Sequence, residues 1–144
     1  MQNILVLCIG NICRSPIAEA LLRQQFPDKT ISSAGLGALV GYPADPLSIE
    51  VSAEQGVDLS AHRARQLSSW MCQAADMILV MEQRHKVEVE QLHPLVLGKV
   101  FRLGELGKFD IEDPHRKPRE AFDTAYAHIA RGVADWVPRI RLLD

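Results

Sequence analysis

A chain of 144 residues, 47% hydrophobic and 24% charged, has the size of one domain that buries a single proper core. A formal net charge of −2 gives no general attraction for nucleic acid or an anionic membrane, so any affinity for phosphate has to be local. Three cysteines are too few, and odd in number, for a disulfide framework. With no basic leader and no apolar run of membrane-spanning length, a cytoplasmic chain with reduced thiols and no membrane insertion is expected.

No repeat, low-complexity segment or linker-like stretch interrupts the sequence, which reads as one domain over residues 1–144. In chain order, residues 4–7 form a consecutive apolar run, the pattern of a parallel strand covered on both faces. Ile17, Ala18, Leu21, Leu22 and Phe26 then make one helix face, followed by a strand at 30–33. Helices are predicted at 46–55 and 66–75, a second consecutive apolar strand at 77–80, a polar-rich helix at 82–92 and a last strand at 100–103. Phe122, Tyr126, Ile129, Val133, Trp136 and Ile140 recur at three- and four-residue spacing along a final helix, in which Pro138 predicts a kink or an early end. Strands alternating with helices imply a parallel sheet with right-handed crossovers. Ligands of such sheets bind beyond the carboxyl ends of the strands, which directs attention to the segment after Leu7.

That segment is Cys8-Ile9-Gly10-Asn11-Ile12-Cys13-Arg14-Ser15-Pro16. Five residues between Cys8 and Arg14 are enough to wrap a loop round a tetrahedral anion, with backbone N–H groups of the loop and of the helix start turned inward. Gly10 lets the backbone approach closely, and Asn11 tolerates a positive φ in a tight curl. Arg14 supplies a planar fork for two phosphate oxygens, and Pro16 suits a first helical turn. A thiol beside an arginine and a helix N-terminus is expected to ionise more readily, giving Cys8 the thiolate form that attacks phosphorus. Ser15 has two open roles, as helix cap or as a hydroxyl turned to Cys8. The proton needed by a departing oxygen calls for a carboxyl group, and the acidic loop Asp110-Ile-Glu112-Asp113-Pro114 offers three candidates, among which Pro114 restricts Asp113 to extended backbone.

The Cys8-to-Pro16 segment, Ser33-Ala34-Gly35, Ala64-Arg65-Gln66 and Asp113-Pro114 together resemble the low-molecular-weight protein tyrosine phosphatase family over essentially the whole chain. The resemblance implies an α/β fold of three layers, α/β/α, with a four-stranded parallel flavodoxin-like sheet of the phosphotyrosine protein phosphatase I type. It implies catalysis by Cys8, Arg14 and Asp113 through a phosphocysteine intermediate, with Ile9, Gly10, Asn11, Ile12, Cys13 and Ser15 in the phosphate loop. Neither a cofactor nor a metal is expected. Ser33 and His62 match positions whose hydrogen bonds hold the loop's shape.

Leu39 and His115 fall where the family walls the substrate ring. His115 replaces the usual aromatic after Asp-Pro, which leaves either a weaker grip or a flatter imidazole contact. The segment 36–40 also has no aromatic and resembles the bacterial branch linked to exopolysaccharide export, implying a tyrosine autokinase as protein substrate. Cys13 is either a packing residue or a partner that traps oxidised Cys8 as a disulfide, and Cys72 is expected to be buried and inert. Two other readings use the same loop. An arsenate reductase needs further cysteines to relay a disulfide, and none follows Cys72; a phosphotyrosine-binding or redox-sensing module needs no acid.

Overall fold

The computed structural model describes residues 1–144. Its elements are β1 (Asn3–Cys8), α1 (Arg14–Gln25), β2 (Thr30–Gly35), α2 (Pro46–Glu54), α3 (Ser69–Ala74), β3 (Met77–Val80), α4 (Gln83–Leu92), β4 (Val100–Arg102) and α5 (Arg119–Leu142). The strands form one parallel sheet in the order β2-β1-β3-β4. Cys8 pairs with Gly35, Leu7 with Val80 and Val80 with Arg102, so all four carboxyl ends meet along one edge.

The consecutive apolar residues of β1 and β3 serve both faces, because successive strand side chains alternate sides. Ile4, Val6, Met77 and Leu79 join Ile17 and Leu22 of α1 and Ile129 and Ile140 of α5 in the larger core. Leu5, Leu7, Ile78 and Val80 face the other way, onto Met71 and Cys72 of α3 and Val89 of α4. Each such aliphatic side chain stabilises the fold by roughly 1.5–3 kcal/mol when fully buried. The result is three layers in the expected flavodoxin-like arrangement. None of its helices is long and apolar enough to cross a membrane.

Two local expectations need correction. The helix predicted over 66–75 starts only at Ser69: Gln66 instead bridges to Gly35 beside β2, and its side-chain amide bonds the Leu36 carbonyl and the Ala38 amide. These long-range bonds outweigh local helix preference. Of the kink or early end expected at Pro138, the early end does not occur, since α5 continues to Leu142. Pro138 and Ala134, whose carbonyl loses its helical partner, are both exposed, so water can satisfy that oxygen. Buried Trp136, Val137 and Ile140 hold the helix on both sides of the proline.

Candidate active site

The chain leaves β1 at Cys8 and enters α1 at Arg14, and the loop between is held from outside by its carbonyl groups. The oxygens of Cys8, Ile9 and Gly10 accept from the amides of Leu36, Gly37 and Leu39 at 3.0, 2.9 and 3.1 Å. Those of Asn11, Ile12 and Cys13 are met by His62 Nε2 at 2.6 Å, the Asp45 amide at 2.8 Å and Ser48 Oγ at 3.1 Å. Six successive carbonyls therefore face the surrounding protein, while the amides of Ile9 to Cys13 donate to no protein acceptor. This arrangement is an anion nest built from backbone. Asn11 supplies the tight curl with φ of 58°. Gly10 does not have a positive φ, and an added Cβ there would meet only Ile12 and Leu39 at ordinary contact distance. Gly35 is the glycine that packing demands, since a Cβ on it would overlap the Ile9 carbonyl oxygen.

Behind the nest a row of side-chain bonds leads to the nucleophile. Asn11 Nδ2 donates to Ser33 Oγ at 2.9 Å and to Ser15 Oγ at 2.8 Å, and its Oδ1 accepts the Arg65 amide at 3.0 Å. The Ser33 hydroxyl donates in turn to Glu19, which also pairs with Arg23. Ser15 Oγ lies 2.9 Å from Cys8 Sγ, and α1 begins without a side-chain cap, so the serine faces the sulfur. When Cys8 is a thiolate, that hydroxyl has to be the donor. Asn11, Ser15, Ser33 and His62 are thus brought together as loop supports, and none of them lines the cavity in front.

That cavity, about 200 Å³, is lined by Cys8, Ile9, Gly10, Ile12, Cys13, Arg14, Gly37, Leu39, Asp113 and His115. Cys8 lies at its floor, only 2% exposed. Arg14 is almost completely buried, and one end of its fork is already used: Nη1 donates to Glu82 Oε2 and to the Ile111 carbonyl, both at 2.7 Å. Its Nε has no protein partner, and Nη2 makes only a 3.8 Å ion pair with Asp113 Oδ2. The edge formed by Nε and Nη2 is therefore the one available for two oxygens of an anion.

Among the three acidic candidates only Asp113 lines the cavity with Cys8. Asp110 is engaged by Arg102 and the Gln83 amide, and Glu112 faces a separate cleft toward α5. Asp113 Oδ1 accepts the His115 amide at 3.0 Å, which leaves Oδ2 as the oxygen without a hydrogen bond. A larger groove of about 540 Å³ on the far side of the loop contains Glu19, Arg23, Ser33, His62 and Arg65 but no cysteine.

Two functional residues escape a reading of the sequence. Glu82 follows β3 and reaches Arg14 because β3 is the sheet neighbour of β1. Burial pushes its carboxyl up, but the Arg14 contacts outweigh that and hold it below the ordinary value. His85 is buried 3.3 Å from Glu82 Oε2, and burial followed by the Arg14 charge pushes its pKa down to about 4. It is therefore a neutral neighbour of the ion pair. The rule that sites collect beyond strand ends is the signal that could have found Glu82. Replacing Glu82 by alanine leaves the Arg14 charge buried without its main partner and is expected to cost about 3 kcal/mol in a denaturant titration. The same variant should bind orthophosphate less tightly, since Arg14 loses the contact that aims it.

Cys72 is fully buried, as expected. Cys13 is also buried, and burial, Asp45, Cys8 and Asp113 in that order push its thiol well above the ordinary value. Its sulfur faces His115 Nδ1 at 3.8 Å and Asp45 Oδ2 at 3.9 Å.

The family model described as low molecular weight phosphotyrosine protein phosphatase matches residues 3–142. A probable low molecular weight protein-tyrosine-phosphatase EpsP of Ralstonia solanacearum is 57% identical over 143 residues, 99% of each chain. The low molecular weight protein-tyrosine-phosphatase Wzb of Escherichia coli K12 is 47% identical, over 94% of this chain and 92% of its own. The solved structure of Vibrio vulnificus Wzb in complex with benzylphosphonate superposes with a TM-score of 0.92 at 43% identity, covering 96% of this chain and 98% of the other. A nest of free backbone amides round a buried cysteine, in a chain alike from end to end, leads to one conclusion: this protein belongs to the low molecular weight phosphotyrosine protein phosphatase family.

Proposed function

We propose that this member of the family hydrolyses phosphotyrosine on proteins by double displacement on Cys8. In the first step the Cys8 thiolate forms an S–P bond as the P–O bond to the aryl group breaks. Asp113 Oδ2 delivers a proton to the leaving oxygen. In the second step Asp113 takes a proton from water, which attacks phosphorus and releases orthophosphate and the Cys8 thiolate. Arg14 and the amides of Ile9 to Cys13 hold the three equatorial oxygens where charge develops. The Ser15 hydroxyl stabilises the sulfur as it departs.

The observation that carries this reading is the six outward carbonyls, which leave five free amides beside Cys8 and Arg14. Phosphotyrosine is favoured over phosphoserine because Cys8 lies at the cavity floor, between Leu39 and His115 near the mouth. A flat aryl ester reaches that floor, whereas a phosphoserine side chain would drag its backbone against the rim. Residues 1–144 are read as one cytoplasmic catalytic domain. The physiological substrate is read as a tyrosine autokinase of exopolysaccharide production, supported by the identity to EpsP and Wzb.

Orthophosphate release from a phosphotyrosyl peptide in EDTA tests the assignment, with much slower release expected from the matching phosphoseryl peptide. Tight vanadate binding without turnover would instead favour a binding or redox-sensing module.

A further inference from the structure

No metal-ligand cluster is visible along the sequence, because the residues concerned are 32 and 70 positions apart. The fold nevertheless brings Cys13 Sγ, Asp45 Oδ2 and His115 Nδ1 into one triangle, two of whose members, Cys13 and His115, line the cavity. Its sides are 3.9 Å for Cys13–Asp45, 3.8 Å for Cys13–His115 and 3.8 Å for His115–Asp45. Zinc bonds of about 2.3 Å to sulfur, 2.0–2.1 Å to nitrogen and 2.0–2.2 Å to oxygen place such donors about 3.4–3.8 Å apart, from tetrahedral to flattened geometry. The triangle is thus within a few tenths of an ångström of one that accepts the ion. From this juxtaposition we infer that Cys13, Asp45 and His115 form an inhibitory site for a borderline-soft divalent cation of the zinc class.

Each donor is already aimed. Asp45 caps α2 through Oδ1, which accepts the Leu47 amide at 2.9 Å, and its own amide bonds the Ile12 carbonyl. Oδ2 is left to face Cys13 and His115. Cys13 is fixed by Ser48 on its carbonyl, and His115 by its amide on Asp113. A thiolate, a carboxylate and a neutral imidazole balance a divalent charge, while Arg14 is already paired with Glu82. Binding forms metal–sulfur, metal–nitrogen and metal–oxygen bonds, and the thiol proton leaves to solvent. Three protein donors leave a fourth position for water. Cys13 and His115 line the same cavity of about 200 Å³ as Cys8, so the bound ion and its water obstruct the path of a phosphate ester. This effect is particular to a chain that has histidine after Asp113-Pro114.

The inhibitory consequence rests on the catalytic reading above, whereas binding does not, and the test separates them. Zinc is titrated calorimetrically, and cobalt by its sulfur-to-metal absorption band, into the Cys8→Ser protein. One ion per chain with a thiolate band is expected, with the band lost on adding Cys13→Ser. Adding His115→Phe, which restores an aromatic at a partly exposed loop position, or Asp45→Asn, which keeps the helix cap, is expected to weaken binding at least about tenfold. Thermal unfolding of each variant confirms that it is folded. Binding lost in Cys8→Ser itself, or undiminished by Cys13→Ser and His115→Phe, overturns the site. Zinc should also suppress orthophosphate release by the wild type, with EDTA restoring it. Should the wild type show no turnover, the catalytic reading fails while the calorimetry still decides the site.

Discussion

Replacing Cys8 by serine is expected to lower orthophosphate release from a phosphotyrosyl peptide by at least about 10⁴-fold, because a neutral serine hydroxyl is a far weaker nucleophile than a thiolate. The loop itself should survive. Its shape comes from six outward carbonyl bonds and from Asn11, none of which involves the Cys8 side chain. Calorimetry with orthophosphate or vanadate should therefore still detect anion binding by Cys8→Ser. Retained turnover would remove Cys8 from the role of nucleophile. Loss of both turnover and anion binding would mean that the sulfur supports the loop rather than attacks through it.

Asp113→Asn should lower turnover of phosphotyrosine by about 10²–10⁴-fold, the usual worth of a positioned acid and base. Asparagine retains an oxygen for the His115 amide, so the loop position is preserved and the loss reports on the proton at Oδ2. Leaving groups differ in their need for that proton. An aryl phosphate whose phenol is strongly acidic departs as the anion, and its first step should be slowed far less than that of phosphotyrosine. Comparing the burst of phenol release for the two ester types checks this. An equal loss on both esters would place Asp113 in binding, beside Arg14 Nη2, rather than in proton transfer.

Glu82 marks the difference between these two residues and the rest of the site. Cys8 and Arg14 share one loop, so their relation is a matter of local spacing and was legible from the residues between them. Asp113 was legible only as one of three neighbouring acids, and its match to a family motif singled it out. Tertiary packing supplies an independent reason, since Asp110 is engaged by Arg102 and Glu112 faces another cleft. Glu82 carries no local signature. Its contact with Arg14 exists because β3 is inserted beside β1, a choice of strand order that no segment encodes alone.

By itself the sequence determined the parallel sheet, through the unbroken apolar runs of β1 and β3, and the anion loop, through Cys8, Asn11 and Arg14 at fixed spacing. Both depend on neighbours along the chain. Only the tertiary structure decided that Ser15 faces the sulfur, that Gly35 rather than Gly10 is the glycine required by packing, and that α5 runs through Pro138. It also decided that Cys13, Asp45 and His115 converge. These outcomes turn on which groups meet across the fold, where long-range contacts outweigh the weak preferences of a single residue.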